Sequence, residues 1–176
     1  MEVAVDNGGY VTPALVAPFG VPAIELRKMV ARDVLTSAAH GVYRVPPLPI
    51  DTYDEFILAR LWAKGRGVVS HDSALLVHEL CDINPTKVHI TIPHGYRIGK
   101  AGAEGYAIHR ASLEPNETAR LGAVTVTTIM RTLTDSLASV HAYLVRQAIE
   151  TARSQGSIRR GDYERLLHEV ENPVSV

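Results

Sequence analysis

The sequence predicts an α+β protein in two parts. Segments 88–92, 106–110 and 124–127 alternate apolar and polar residues with the period of a half-buried strand. Segments 51–62, 70–80, 128–139, 141–153 and 162–170 read as helices, several of them behind capping residues or with apolar residues at helical spacing. The stretch VPPLPID at 45–51 carries Pro46, Pro47 and Pro49, which fix φ and remove backbone donors, so neither a helix nor a central strand runs through it. The expected division is therefore a first domain over residues 1–46, a stiff connector at 46–50 and a second domain over 51–176.

A chain of 176 residues with 46% apolar side chains is long and apolar enough to pack a core. Its net charge of -1, from 18 basic and 19 acidic side chains, excludes a global field that would draw it to nucleic acid or anionic lipid. Any such binding must be local. Cys81 stands alone and forms no internal disulfide, the start MEVAVDNGG lacks the layout of a secretory signal, and no apolar run approaches the roughly 20 residues that span a bilayer. A cytoplasmic protein without a membrane partner is expected.

In the first part, Thr12 caps and Pro13 opens a short helix, Phe19, Gly20 and Val21 make a turn, and Pro22 sits at the first position of a second helix. Leu26, Met29 and Val30 form the apolar face of that helix, so Ala23, Arg27, Lys28 and Ala31 look outward. VLTSAA and HGVYRV then read as two short strands turning near Gly41. Two helices joined by a tight turn and followed by a β-ribbon make a winged helix-turn-helix, whose second helix enters a major groove while the wing holds phosphates. Arg27 and Lys28 suit guanine edges or phosphates, and Ile24 suits a thymine methyl. The competing reading is a helical hairpin with a β-ribbon that binds protein, because Arg27, Lys28, Arg32 and Arg44 are balanced by Glu2, Asp6, Glu25 and Asp33.

In the second part, Asp51 or Thr52 caps a helix bearing Phe56, Ile57, Leu61 and Trp62, and Ser70 caps the next, with Asp72 in the first turn where the helix dipole favours an anion. KVHITIP places Val88, Ile90 and Ile92 against His89 and Thr91. GKAGAEG at 99–105 reads as a flexible hairpin tip between strands. Leu144, Val145, Ala148 and Ile149 on one helix and Leu166, Leu167 and Val170 on the next should close the core.

The order and spacing of GVPAIELRKMVARDVLTSAAHGVYRV, SHDSALLVHEL, KVHITIP, IHRASL and VTVTTIMRTLTDSLA resemble the AbiEi family, the antitoxins of AbiE-type (type IV) bacterial toxin-antitoxin systems. The resemblance implies an N-terminal winged helix that binds inverted repeats of double-stranded DNA in its own promoter and represses its operon. It further implies a C-terminal domain that counteracts a nucleotidyltransferase-like toxin, and a protein that is not an enzyme and needs no cofactor. The DNA-binding candidates are Ala23, Ile24, Arg27, Lys28, Arg32, His40 and Arg44, with a second copy on the adjacent half-site. The chain departs from the family pattern in having Pro22, Ala23, Ile24 and Glu25 where polar or basic residues usually start the recognition helix, in Asp33 where Gly is common, and in a first helix that is short or missing. Two alternatives belong to other classes: a regulator without a toxin, whose C-terminal domain dimerises or senses a ligand, and a metal-dependent nuclease built on His71, Asp72, His78 and Asp82.

The residues argue against that enzyme. One cysteine among scattered histidines is a poor zinc set, no HExxH is present, and no Gly-rich phosphate loop, GxSxG elbow or Glu-x-Lys strand is found. Catalytic and metal sites are therefore expected to be absent, with the histidines of 70–95 lying on the wet face of a strand. Arg131 and Asp135 stand one helical turn apart, as an exposed pair or as a contact to a partner. Arg159 and Arg160 sit at an exposed turn, open to an acidic toxin surface, to a nucleic-acid backbone or to water alone.

Overall fold

The computed structural model describes residues 2–50, 52–98 and 102–172. It is an α+β protein whose chain forms two compact units: residues up to Gly67 together with 120–124, and residues 68–119 together with those from Thr125 onward.

The first unit runs α1 (Glu2–Val5), β1 (Tyr10–Val11), α2 (Pro13–Val16), a 3-10 turn (Ala17–Phe19), α3 (Ala23–Ala31), β2 (Thr36–Ala39), β3 (Val42–Arg44) and α4 (Asp54–Trp62). Its antiparallel sheet has the order β1-β3-β2, with Tyr10 and Thr36 both opposite Arg44. Thr12 caps α2 as expected, its Oγ1 accepting from the Leu15 amide at 3.3 Å. Pro22 stands one position earlier than expected, as the N-cap of α3, because its ψ of 150° is extended rather than helical. The end of α3 is closed by a Schellman turn: Val34 donates to the Met29 carbonyl at 2.9 Å and Asp33 to that of Val30 at 3.1 Å. Asp33 takes the left-handed conformation, φ 56°, that glycine adopts most easily. Ala4, Val11, Val16, Leu26, Leu35 and Tyr43 form the core of the unit.

The boundary lies beyond the proline seam, at Gly67. The connector at 46–50 does not separate the units because α4 returns to the first one. Asp54 at its start bonds Tyr10 and Arg44, and a Cβ on Gly8 would overlap the Ile57 side chain. Asp51, one of the two expected caps of α4, lies outside the described residues.

The second unit contains β4 (Val68–Val69), α5 (His71–Val77), β5 (Val88–Ile92), β6 (Tyr106–Arg110), β7 (Thr118–Leu121), β8 (Val124–Thr127), α6 (Ile129–Ser136), α7 (Ala142–Ser154) and α8 (Arg160–Glu171). The tip of the β7–β8 segment, 120–124, groups with the first unit. The sheet is mixed, with the order β6-β5-β4-β8-β7. β4 pairs antiparallel with β5 and parallel with β8, and β5 pairs parallel with β6. The segment between β5 and β6 is therefore a crossover and not a hairpin tip, since parallel neighbours need the chain to return to the same end. Residues 99–101 of that segment lie outside the described set.

β5 also departs from the half-buried expectation. Val88, Ile90, Thr91 and Ile92 are all buried, because the strand lies between β4 and β6 and packs against α5. α5 ends at Val77, earlier than expected, where Glu79 turns left-handed at φ 54° and Leu80 donates to the Leu75 carbonyl at 3.0 Å. The core of this unit joins Leu75, Leu133, Val145, Ala148, Ile149 and Leu166 across four helices, including most of the apolar positions expected of the last two. Among the described residues, no helix is long and apolar enough to cross a membrane.

Candidate nucleic-acid interface and histidine cluster

In the first unit, α3 presents Ala23, Ile24, Arg27, Lys28, Ala31 and Arg32 outward, while Leu26 is 2% exposed on its opposite side. This division follows from the helical period: Leu26, Met29 and Val30 face the core, and positions 23, 24, 27, 28 and 31 recur on the far face. Ile24 is 52% exposed, a large apolar side chain next to cations. Lys28 meets Glu25 at 2.6 Å, but both side chains are solvated, so the pair is worth little and gives way easily to a competing anion. Arg27 and Arg32 form no ion pair among the described residues. His40 is exposed beside Gly41, which takes φ 70° in the turn between β2 and β3. The buried side of α3, at Leu26 and Met29, borders an apolar cavity of about 460 Å³.

Arg44 is placed differently from the other candidates. Its side chain is 14% exposed, its Nη1 donates to Asp54 Oδ1 at 3.2 Å and its Nη2 to the Leu48 carbonyl at 2.8 Å. Its guanidinium lies 5.2 Å from the centre of the Tyr10 ring, and the Tyr10 hydroxyl donates to Asp54 Oδ2 at 2.7 Å. Burial, followed by the Asp54 carboxylate, pushes the Tyr10 phenol above its ordinary pKa. Arg44 thus holds β1, β3 and the start of α4 together, and its donors are turned toward the protein.

In the second unit, His71 of α5, His89 of β5 and His109 of β6 converge. The His71 and His109 rings stack at 3.5 Å between centres, inclined by 11°, and His109 Nε2 lies 3.2 Å from His89 Nδ1. Asp72 Oδ1 lies 3.5 Å from His89 Nδ1, yet this oxygen is buried and receives no hydrogen bond. Ser70 is the N-cap of α5 by position, as expected, but its hydroxyl does not cap the helix. It accepts from Thr91 Oγ1 at 2.8 Å and lies 3.0 Å from His71 Nδ1. His71 begins the helix at φ 50°, a left-handed conformation unfavourable for a side chain of this size. Burial, then the neighbouring His109 and His89, lowers its pKa to about 3. His89 is therefore part of a half-buried cluster and not of a wet strand face, because β6 lies alongside.

His78 Nε2 lies 2.7 Å from the Thr127 carbonyl and so carries its proton there, while Asp82 bonds Gln147 at 3.0 Å. The four residues weighed for a nuclease thus have different partners. Among the described residues, no group of three or more His, Cys, Asp or Glu side chains is arranged to hold a metal ion. Arg131 is 22% exposed and bridges Glu117 and Asp135, each at 2.8 Å, so it is tied inward and is not the exposed pair expected. Burial raises the pKa of Asp135 against the pull of Arg131. Arg160 meets Glu164 at 2.7 Å in solvent, and Arg159 is exposed at the N-cap of α8.

Tyr10, Asp54, Thr91 and His109 are the members of these arrangements that sequence reasoning missed. Tyr10 lies in a strand of two residues, too short to show a period. His109 sits in an alternating segment whose partner strand no local pattern names.

No protein-family model and no curated protein matches the chain. Among solved structures, the chain is similar to the crystal structure of RV2827C protein from Mycobacterium tuberculosis, with a TM-score of 0.50 and 14% sequence identity, over 96% of this chain and 78% of that one. At this identity the likeness is one of fold: the α+β arrangement recurs in a protein of largely different sequence.

Proposed function

We propose that the first unit is a winged helix-turn-helix that binds double-stranded DNA through α3, and that the chain is an AbiEi-like antitoxin repressing its own promoter. The element order α1-β1-α2-α3-β2-β3 with the sheet order β1-β3-β2 supports the winged reading, because β2 and β3 form the ribbon beside α3. The observation that carries the reading is the outward face of α3, where Arg27, Lys28 and Arg32 stand clear of the core with Ile24 between them and the helix start. Arg27 and Lys28 reach bases or phosphates, Ile24 and Ala23 meet thymine methyls, and His40 at the ribbon turn reaches the backbone. Arg44 acts indirectly, by fixing β3 and so the ribbon. Inverted repeats follow from two copies on adjacent half-sites.

Restraint of a nucleotidyltransferase-like toxin is the proposed role of the second unit, supported by the resemblance of SHDSALLVHEL, KVHITIP and VTVTTIMRTLTDSLA to that family. Arg159 and Arg160 are the exposed cations weighed there for a partner contact. The test is a titration of the purified chain on the DNA upstream of its own gene, against scrambled DNA, at two salt concentrations. Selective binding that weakens steeply with salt supports the reading. Equal affinity for both DNAs removes it, and the ribbon and hairpin then serve a protein partner.

A further inference from the structure

We propose that His89, His109 and Asp72 form a proton-operated hydrogen-bond switch that releases the edge strand β6 from β5 on acidification. The proposal concerns the second unit alone and stands independently of DNA binding.

The hydrogen bonds define the resting state. Thr91 donates to Ser70 at 2.8 Å, so the Ser70 proton is free to go to His71 Nδ1 at 3.0 Å, which leaves His71 neutral with its proton on Nε2. His109 and His89 face each other through Nε2 and Nδ1 at 3.2 Å, and one proton occupies that gap. With that proton carried by His109, His89 Nδ1 is an acceptor and has nothing to offer Asp72. This accounts for a carboxylate oxygen that is buried and without a donor although an imidazole nitrogen lies 3.5 Å away.

Adding a proton changes the pairing. The incoming proton binds the lone pair of His89 Nδ1, and the new N–H donates to Asp72 Oδ1, converting an orphaned oxygen into half of an ion pair. His109, with its proton kept on Nε2, then faces another N–H at hydrogen-bond distance and turns away. Since β6 lies at the sheet edge, with β5 its one neighbour among the described residues, the loss of this contact loosens it. The charged and titratable groups around the gap favour this outcome. On α5, His71 is occupied by Ser70 and resists charging. From α6, Arg131 acts on His71 electrostatically and disfavours a second cation there. Cys81, whose thiol is pushed up to about 11, stays neutral near Asp72.

The experiment is ring-nitrogen NMR of the full chain from about pH 7.5 to about pH 5, with amide exchange of residues 106–110 measured in parallel. The expected result is a change of His89 Nδ1 from acceptor to protonated donor, together with at least a tenfold rise in β6 exchange beyond the intrinsic pH effect. In Asp72→Asn, where the new N–H finds no carboxylate, the rise in β6 exchange should be smaller. In His109→Phe, which keeps a ring against His71 but offers no proton, β6 exchange should lose its pH dependence. Proton uptake at His109 Nδ1 with the His109–His89 contact retained would overturn the proposal. So would β6 exchange that stays flat in the unaltered chain, or a rise in Asp72→Asn that is no smaller.

Discussion

Arg44 and Asp54 are ten residues apart in sequence and 3.2 Å apart in space, and their pairing makes α4 part of the first unit. The carboxylate is shared with the Tyr10 hydroxyl at 2.7 Å, so three separate elements meet on one acidic group. Asp54→Ala leaves a half-buried guanidinium and a buried phenol without their acceptor. The expected cost is about 2–3 kcal/mol in urea unfolding. Asp54→Asn, which keeps one oxygen, should cost less than the alanine change.

The outward cations of α3 lead to the opposite expectation. Arg27→Ala with Lys28→Ala removes charge from a solvated face, so the urea midpoint should be unchanged. Selective retention of operator DNA should be lost. The slope of log affinity against log salt should fall by about 2 if both side chains meet phosphates, and by less if either reads a base edge. A folded double variant that still selects the operator would place the interface elsewhere.

Asp33 occupies a left-handed position, φ 56°, at the end of α3. Glycine reaches this conformation without steric penalty, so Asp33→Gly should stabilise the first unit by up to about 1 kcal/mol. Asp33→Val, branched at Cβ, should destabilise it by at least as much. Thermal midpoints of the two variants bracket the strain. The Gly variant also tests whether removing an anion beside α3 tightens DNA binding.

His71 makes stability depend on pH. Its folded pKa, about 3, is depressed below the ordinary 6.5, so the unfolded chain binds more protons between these values and stability rises with pH across that window. The stabilising contribution is complete above pH 6.5 and is lost progressively as pH falls toward 3. Burial lowers the pKa of His78 and His109 in the same direction, so they add to the trend. The urea midpoint should therefore be lower at pH 5 than at pH 7.5, and His71→Phe should reduce the difference. An equal slope in the variant would assign the acid sensitivity to other groups.

By itself the sequence determined the elements whose cause is local. Thr12 and Pro13 start α2 through one hydroxyl and one fixed φ, and Leu26, Met29 and Val30 set the buried side of α3 through the 3.6-residue period. The apolar stripes of α7 and α8 were legible for the same reason. Tertiary structure alone decided what depends on partners distant in sequence. It gave Arg44 to Asp54, aligned β6 parallel to β5, and brought His71, His89 and His109 together from a helix start and two strands. Proline at 46–49 does stiffen the chain, yet the boundary moved to Gly67 because burial of Ile57 and the bonds of Asp54 pull α4 back to the first unit. Helical period and capping act over a few residues and are written into them. Strand pairing, ion pairing and domain boundaries depend on which surfaces the folded chain brings into contact.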